Sequence, residues 1–161
     1  LMIPGQVCYE PVIQLFGEWI VKEDGSLDRE TISKIVFEKK EILEKLNAII
    51  HPAVKKYILR EIERSKKEKT EFFFIEAALL IEEKYDEICD ELWYIYADEE
   101  VRKERLIEGR GYSEKKVREI MANQLSEDEF SSHCDFEIDN SGDFEETKKQ
   151  LDHRMKKYET L

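Results

Sequence analysis

The chain has 161 residues, 41% hydrophobic and 40% charged, with a net charge of −12, which suits one compact domain with an insertion and leaves too little for two independent ones. Its longest apolar runs, 72–75 and 77–81, are too short to cross a bilayer, and the opening residues lack the pattern of a signal peptide. Three cysteines (Cys8, Cys89, Cys134) without CxxC spacing exclude a disulfide framework and a cysteine zinc cluster, and the acidic balance argues against nucleic-acid or anionic-membrane binding over the whole surface; a reducing cytoplasm is the expected compartment.

In chain order, Pro4-Gly5 marks a turn, and Pro11 suits the first turn of a helix through Val12, Ile13, Leu15 and Phe16, closed by Gly17. The apolar piece 19–21 precedes the turn Asp24-Gly25-Ser26. Asp28 is placed to cap a helix through Ile32, Ile35, Val36 and Phe37, with Thr31 where a full capping box has Glu or Gln. The spacing predicts a further helix over 39–50 and another beginning at Pro52 and ending near the lysine-rich stretch 65–69. The pattern then changes. EFFFIE (71–76), ELWYIYA (91–97) and DFEID (135–139) read as strands, the first two as runs buried on both faces of a parallel sheet. Helical patterns separate them at 79–85, 99–107 and 113–125, and a last helix covers 144–158. Strands alternating with helices predict an α/β architecture, although three strands after some 65 residues of helix make a small sheet.

Seven bases stand between Val101 and Arg118 against three glutamates. A solvated helix laced with i,i+4 pairs explains such an island, and so does a surface for an anionic ligand. Within it, Arg105 and Arg110 bracket Leu106–Gly109, and Gly109 and Gly111 flank the second arginine, as in a mobile segment that carries guanidinium groups to a phosphoryl group. Glu76 ends the first strand pattern, where an acid can hold a hydrated magnesium ion or simply face solvent. Glu82, in ALLIE, is open to the same two readings. His51 stands beside Pro52 at the expected junction of two helices, the place of a packed hydrogen-bonding group more often than a catalyst. Asn140-Ser141-Gly142 follows the third strand, either as a plain turn or as a contact for a nucleobase. No G-x-x-x-x-G-K-[ST] loop occurs among the six glycines.

Seven segments together carry a more specific signal: PGQVCYEPVIQLFG (4–17), DGSLDRETISKIVF (24–37), LNAIIHP (46–52), IEAALLIEE (75–83), RLIEGRGYS (105–113), MANQ (121–124) and IDNSGD (138–143). In this order the chain resembles the dephospho-CoA kinases, P-loop enzymes that phosphorylate the ribose 3′-hydroxyl of dephospho-CoA with ATP and Mg2+ in the last step of coenzyme A biosynthesis. The resemblance implies a three-layer α/β/α P-loop kinase fold. Residues 1–161 would form a single, partial kinase domain, with a helical CoA-domain insertion at 5–65, core segments at 71–98 and 135–161, and a lid at 99–125. It also implies roles: Arg105 and Arg110 facing the transferred phosphate, Arg29, His51 and Glu82 toward dephospho-CoA, Asn140 and Gly142 near the adenine, and Glu76 toward the metal.

The departures are Ala78, where the family has proline, and a five-residue step from Arg105 to Arg110, where four is common. The family's strand order is 2-3-1-4-5, with the P-loop strand in the centre. That strand and its neighbours, about 40 residues at ordinary element lengths, are expected before Leu1. Segments 72–76 and 92–97 should therefore not pair with each other, and residues 1–161 alone are expected to be inactive. A related nucleoside or nucleotide kinase, or a non-catalytic helical binding protein, is the alternative.

Overall fold

A computed structural model describes residues 1–159; the last two positions of the expected 135–161 core segment lie outside them. The chain forms two units, 1–76 and 77–161.

The first unit is helical. α1 (Tyr9–Phe16) ends at Gly17, whose φ of 97° belongs to glycine's own region of backbone space, and where a Cβ would lie 2.9 Å from the Trp19 ring. A single 3₁₀ turn (Glu18–Ile20) leads into a tight antiparallel bridge between Val21 and Leu27, closed by Lys22 N–H to the Ser26 carbonyl at 2.8 Å. α2 (Arg29–Glu38) is capped by Asp28, which accepts from the Thr31 N–H at 3.1 Å and the Thr31 hydroxyl at 2.7 Å. The reciprocal half of the box stays open, because the Asp28 N–H donates to the Ile20 carbonyl at 2.8 Å. Tyr9, Val12, Ile20, Leu27 and Ile32 make the core, with Leu46, Ile49 and Ile50 packed against it.

Those last three side chains sit on α3 (Lys40–Lys67), one 28-residue helix with Pro52 inside it. This corrects the expectation of two helices meeting at His51-Pro52. Proline costs the bond to the carbonyl four residues back, about 3 kcal/mol or more in a helix interior. The apolar face of residues 46–50, anchored on the core, offsets that loss. The segment 71–76 is not a strand, contrary to its pattern: Phe73 and Phe74 are 42% and 69% exposed, and no described residue forms a ladder with it. A buried strand needs hydrogen-bonded neighbours on its edges, and the described residues supply none.

The second unit is α/β. The expected helix at 79–85 is instead a series of turns that closes with Lys84 in the left-handed region (φ 54°) before a 3₁₀ turn at Tyr85–Glu87. β1 (Trp93–Tyr96) and β2 (Phe136–Asp139) pair in parallel, Trp93 against Phe136 through Tyr96 against Asp139. β1 thus takes the 135–139 segment as its neighbour. Parallel strands need a crossover, supplied here by α4 (Glu99–Arg110), α5 (Glu114–Ala122) and α6 (Glu127–His133). α7 (Phe144–Glu159) follows β2. Leu92, Tyr94, Ala97, Val117 and Ile138 are buried, and Tyr94 stacks on Phe130 with centroids 4.8 Å apart. β1 is not buried on both faces as its apolar run suggests, since Ile95 is 53% exposed.

Candidate functional site

Parallel strands put both carboxyl ends on one edge, the edge where α/β sheets bind ligands. Here that edge carries two short loops, Ala97-Asp98 after β1 and 140–143 after β2, and they are stitched together. Asn140 N–H donates to the Tyr96 carbonyl at 2.8 Å, and Asp98 N–H donates to the Ser141 hydroxyl at 2.9 Å. Within the second loop, Asp139 accepts from the Ser141 N–H at 2.7 Å, and the Ser141 hydroxyl first, with that N–H beside it, holds its carboxyl below the usual value. Tyr96 donates its hydroxyl to Asp98 at 2.6 Å, and this bond, which the phenolate cannot make, pushes the phenol up to about 12.

Arg105 reaches across from α4. Its guanidinium donates to the Asn140 carbonyl at 2.7 Å and to the Gly142 carbonyl at 3.4 Å. Three residues singled out in the sequence therefore meet at one point. Their partners are neutral carbonyls, so the guanidinium keeps its full charge and has donors to spare. The rest of the basic island divides cleanly. Arg102, Lys103, Lys115 and Arg118 pair with Glu127, Glu99 and Glu100, Glu119 and Glu114 respectively, and Lys116 lies over the Tyr112 ring. The solvated-helix reading accounts for Lys103, Lys115, Lys116 and Arg118, whose partners are three or four residues away; Arg102 reaches Glu127 on α6, and the reading does not account for Arg105 or for the exposed Arg110, which has no ion pair among the described residues. Arg110 is the last residue of α4, and Gly111, at φ 63°, accommodates the left-handed turn that ends the helix. Gly109 is inside the helix, so the flanking glycines mark a helix end and not a free loop.

The remaining candidates are placed as follows. Glu82 is exposed among the turns at 78–84, with no hydrogen bond or ion pair to Arg105, Asn140 or Gly142. In the first unit, Arg29 is the exposed first residue of α2, His51 is half-buried in mid-α3, and Glu76 is exposed at the end of the unpaired segment. Among the described residues no group of three or more His, Cys, Asp or Glu could hold a metal ion by itself. A magnesium ion carried on nucleotide phosphates needs only one or two carboxylates. Residues outside the sequence expectations are Thr147 and Gln150. Gln150 brackets the end of β2, donating to the Asp139 carbonyl at 2.8 Å and accepting from the Asp139 N–H at 2.9 Å. Their signal was positional: polar residues on the first turns of a helix that follows a strand.

The sequence profile of the dephospho-CoA kinase family matches residues 1–146. The chain belongs to the dephospho-CoA kinase family. A dephospho-CoA kinase of Aquifex aeolicus is 40% identical over 98% of this chain and 77% of its own length. One from Symbiobacterium thermophilum is 36% identical over 94% of this chain, which spans 64% of that relative's length. Among solved structures, a Thermus thermophilus protein superposes with a TM-score of 0.74 at 27% identity, covering 92% of this chain and 75% of that one. A Campylobacter jejuni dephospho-CoA kinase, at 24% identity, shares the fold with a TM-score of 0.62 over 91% of this chain and 75% of its own. The α/β architecture is thus that of a dephospho-CoA kinase.

Proposed function

We propose that the chain carries the lid, the nucleotide loop and the acceptor region of an enzyme that transfers the terminal phosphoryl group of ATP to the ribose 3′-hydroxyl of dephospho-CoA. The observation that carries this reading is the meeting of Arg105 with Asn140 and Gly142 at the carboxyl ends of two parallel strands. It joins a charged lid helix to the loop placed for a nucleobase. In this reading 99–125 is the lid, 5–65 the helical substrate insertion, and 71–98 with 135–161 the core.

Phosphoryl transfer asks the protein mainly to position its reactants and to stabilise charge spread over the phosphoryl oxygens. Arg110, with no carboxylate partner among the described residues, and Arg105, whose partners are uncharged carbonyls, are the groups that supply it. The loop 140–142, fixed at the sheet edge, holds the base. Arg29, His51 and Glu82 are assigned to the acceptor, and Glu76 to the Mg2+ that neutralises the phosphates when ATP is bound. The acidic surface and the absence of a described helix long and apolar enough to cross a membrane fit small-molecule substrates handled in the cytoplasm.

The test is ATP-dependent conversion of dephospho-CoA to its 3′-phosphate by the gene's full translation product, with nucleosides and nucleotides offered as competing acceptors. Preferential phosphorylation of a plain nucleoside would overturn the acceptor assignment. Arg105→Ala is expected to lower turnover about 10³-fold, the scale of an arginine facing the transferred phosphate; an unchanged rate would remove Arg105 from the chemistry.

A further inference from the structure

Asn140 has unusually complete hydrogen bonding. Its N–H donates to the Tyr96 carbonyl, its carbonyl accepts from Arg105, and its side-chain Oδ1 lies 3.1 Å from the Thr147 hydroxyl. Only the amide nitrogen, with two hydrogens, is without a partner among the described residues. Thr147, on the first turn of α7, is 7% exposed and is the only buried polar residue among those described.

Its hydroxyl has one proton and three oxygens around it: Asn140 Oδ1 at 3.1 Å, the Asp139 carbonyl at 3.3 Å and the Asp143 carbonyl at 3.5 Å. The two carbonyls are already served, Asp139 by Gln150 at 2.8 Å and Asp143 by the Thr147 N–H at 3.4 Å. Asn140 Oδ1 is the nearest of the three and has no other donor among the described residues, so the proton goes there and leaves the amide nitrogen facing outward.

We propose that Thr147 is a positioning residue for the nucleotide: it holds the Asn140 amide with its nitrogen outward, as a hydrogen-bond donor to an acceptor atom of the purine. This rests on the reading of 140–142 as the base loop. A donor already fixed in place loses little rotamer freedom when the base arrives. Without the hydroxyl, the amide is free to turn, and its outward end becomes donor or acceptor at random.

The experiment measures ATP binding by calorimetry on the gene's full translation product, with no acceptor present, beside the transfer assay with dephospho-CoA. Thr147→Val, which keeps the shape and removes the hydroxyl, is expected to raise the ATP Kd and KM about tenfold, the scale of one hydrogen bond and its ordering, while turnover at saturating ATP falls less than threefold. Thr147→Ser restores binding to within about twofold, because it returns the proton. In an Asn140→Ala background, Thr147→Val has no further effect on ATP binding, since the group it acts through is gone.

An unchanged Kd in Thr147→Val overturns the proposal. So does a loss that serine does not rescue, or one that persists undiminished in the Asn140→Ala background, because either means the hydroxyl serves only the packing of α7. ATP bound with this mutational pattern but no phosphate passed to dephospho-CoA sinks the acceptor assignment and leaves the role of Thr147 standing.

Discussion

Glu91, two residues before β1, accepts from Arg154 at 2.6 Å, Lys157 at 2.8 Å and the Trp93 indole at 2.9 Å. Burial pushes its carboxyl up, but these bonds, with one from Tyr158, outweigh the burial and hold it well below the ordinary value of 4.5. A carboxyl depressed by folding adds stability above its unfolded value, and that stability is withdrawn as pH falls toward the folded one. Unfolding monitored on the second unit should show the chain losing stability below about pH 4.5, the ordinary glutamate value, with Glu91→Gln losing less over the same interval because it has no charge to give up. A parallel decline in both would assign the acid sensitivity to other carboxylates. At this scale the sequence was partly legible. Asp28 and Thr31 were readable as a cap because they are neighbours in the chain, whereas Glu91 meets Arg154 and Lys157 across more than 60 positions, and no local pattern announces such a contact.

Among the elements, α6 shows what a closer reading of caps could have found. Ser126 accepts from the Glu129 N–H at 3.3 Å while the Glu129 carboxylate accepts from the Ser126 N–H at 2.9 Å, a full capping box written in the sequence as SEDE. The apolar pattern of 113–125 hid it, since it runs on past Asn123, where α5 ends. Ser126→Ala is expected to cost about 1 kcal/mol and to speed amide hydrogen exchange in α6 before it does so in α5; equal effects on both helices would mean they open as one. The other element-level differences have the same origin. Pro52 and the 79–85 pattern were read from local propensity, and packing decided the outcome at the first and a left-handed Lys84 at the second. The site divided likewise: Arg105 and the loop after β2 were legible as types, but their meeting depends on the parallel pairing that brings residues 35 apart within 2.7 Å.

Taken whole, the molecule is uneven in charge. The first unit has 13 bases and 14 acids, and the second has 13 bases and 24 acids, so nearly all of the net −12 belongs to the half that carries the candidate nucleotide loop. Arg105 and Arg110 are therefore local cations on an acidic body. The end of the first unit, 71–76, is equally distinctive, with two exposed phenylalanines and no strand partner among the described residues. Brief chymotrypsin digestion of the 161-residue chain should cut first at Phe73 or Phe74 and release fragments divided near the boundary of the units. First cleavage within 93–96 would contradict the unpaired state of 71–76. The parallel pairing of β1 with β2 also sets an order of events. Leu27 returns to Val21 across six positions, but Trp93 must wait for Phe136, 43 positions further on. At a synthesis rate of about 5–20 residues per second, that interval is roughly 2–8 s. The helices of the first unit can close as they emerge from the ribosome, while β1 remains without its neighbour and exposed to other chains until α4, α5 and α6 have been made.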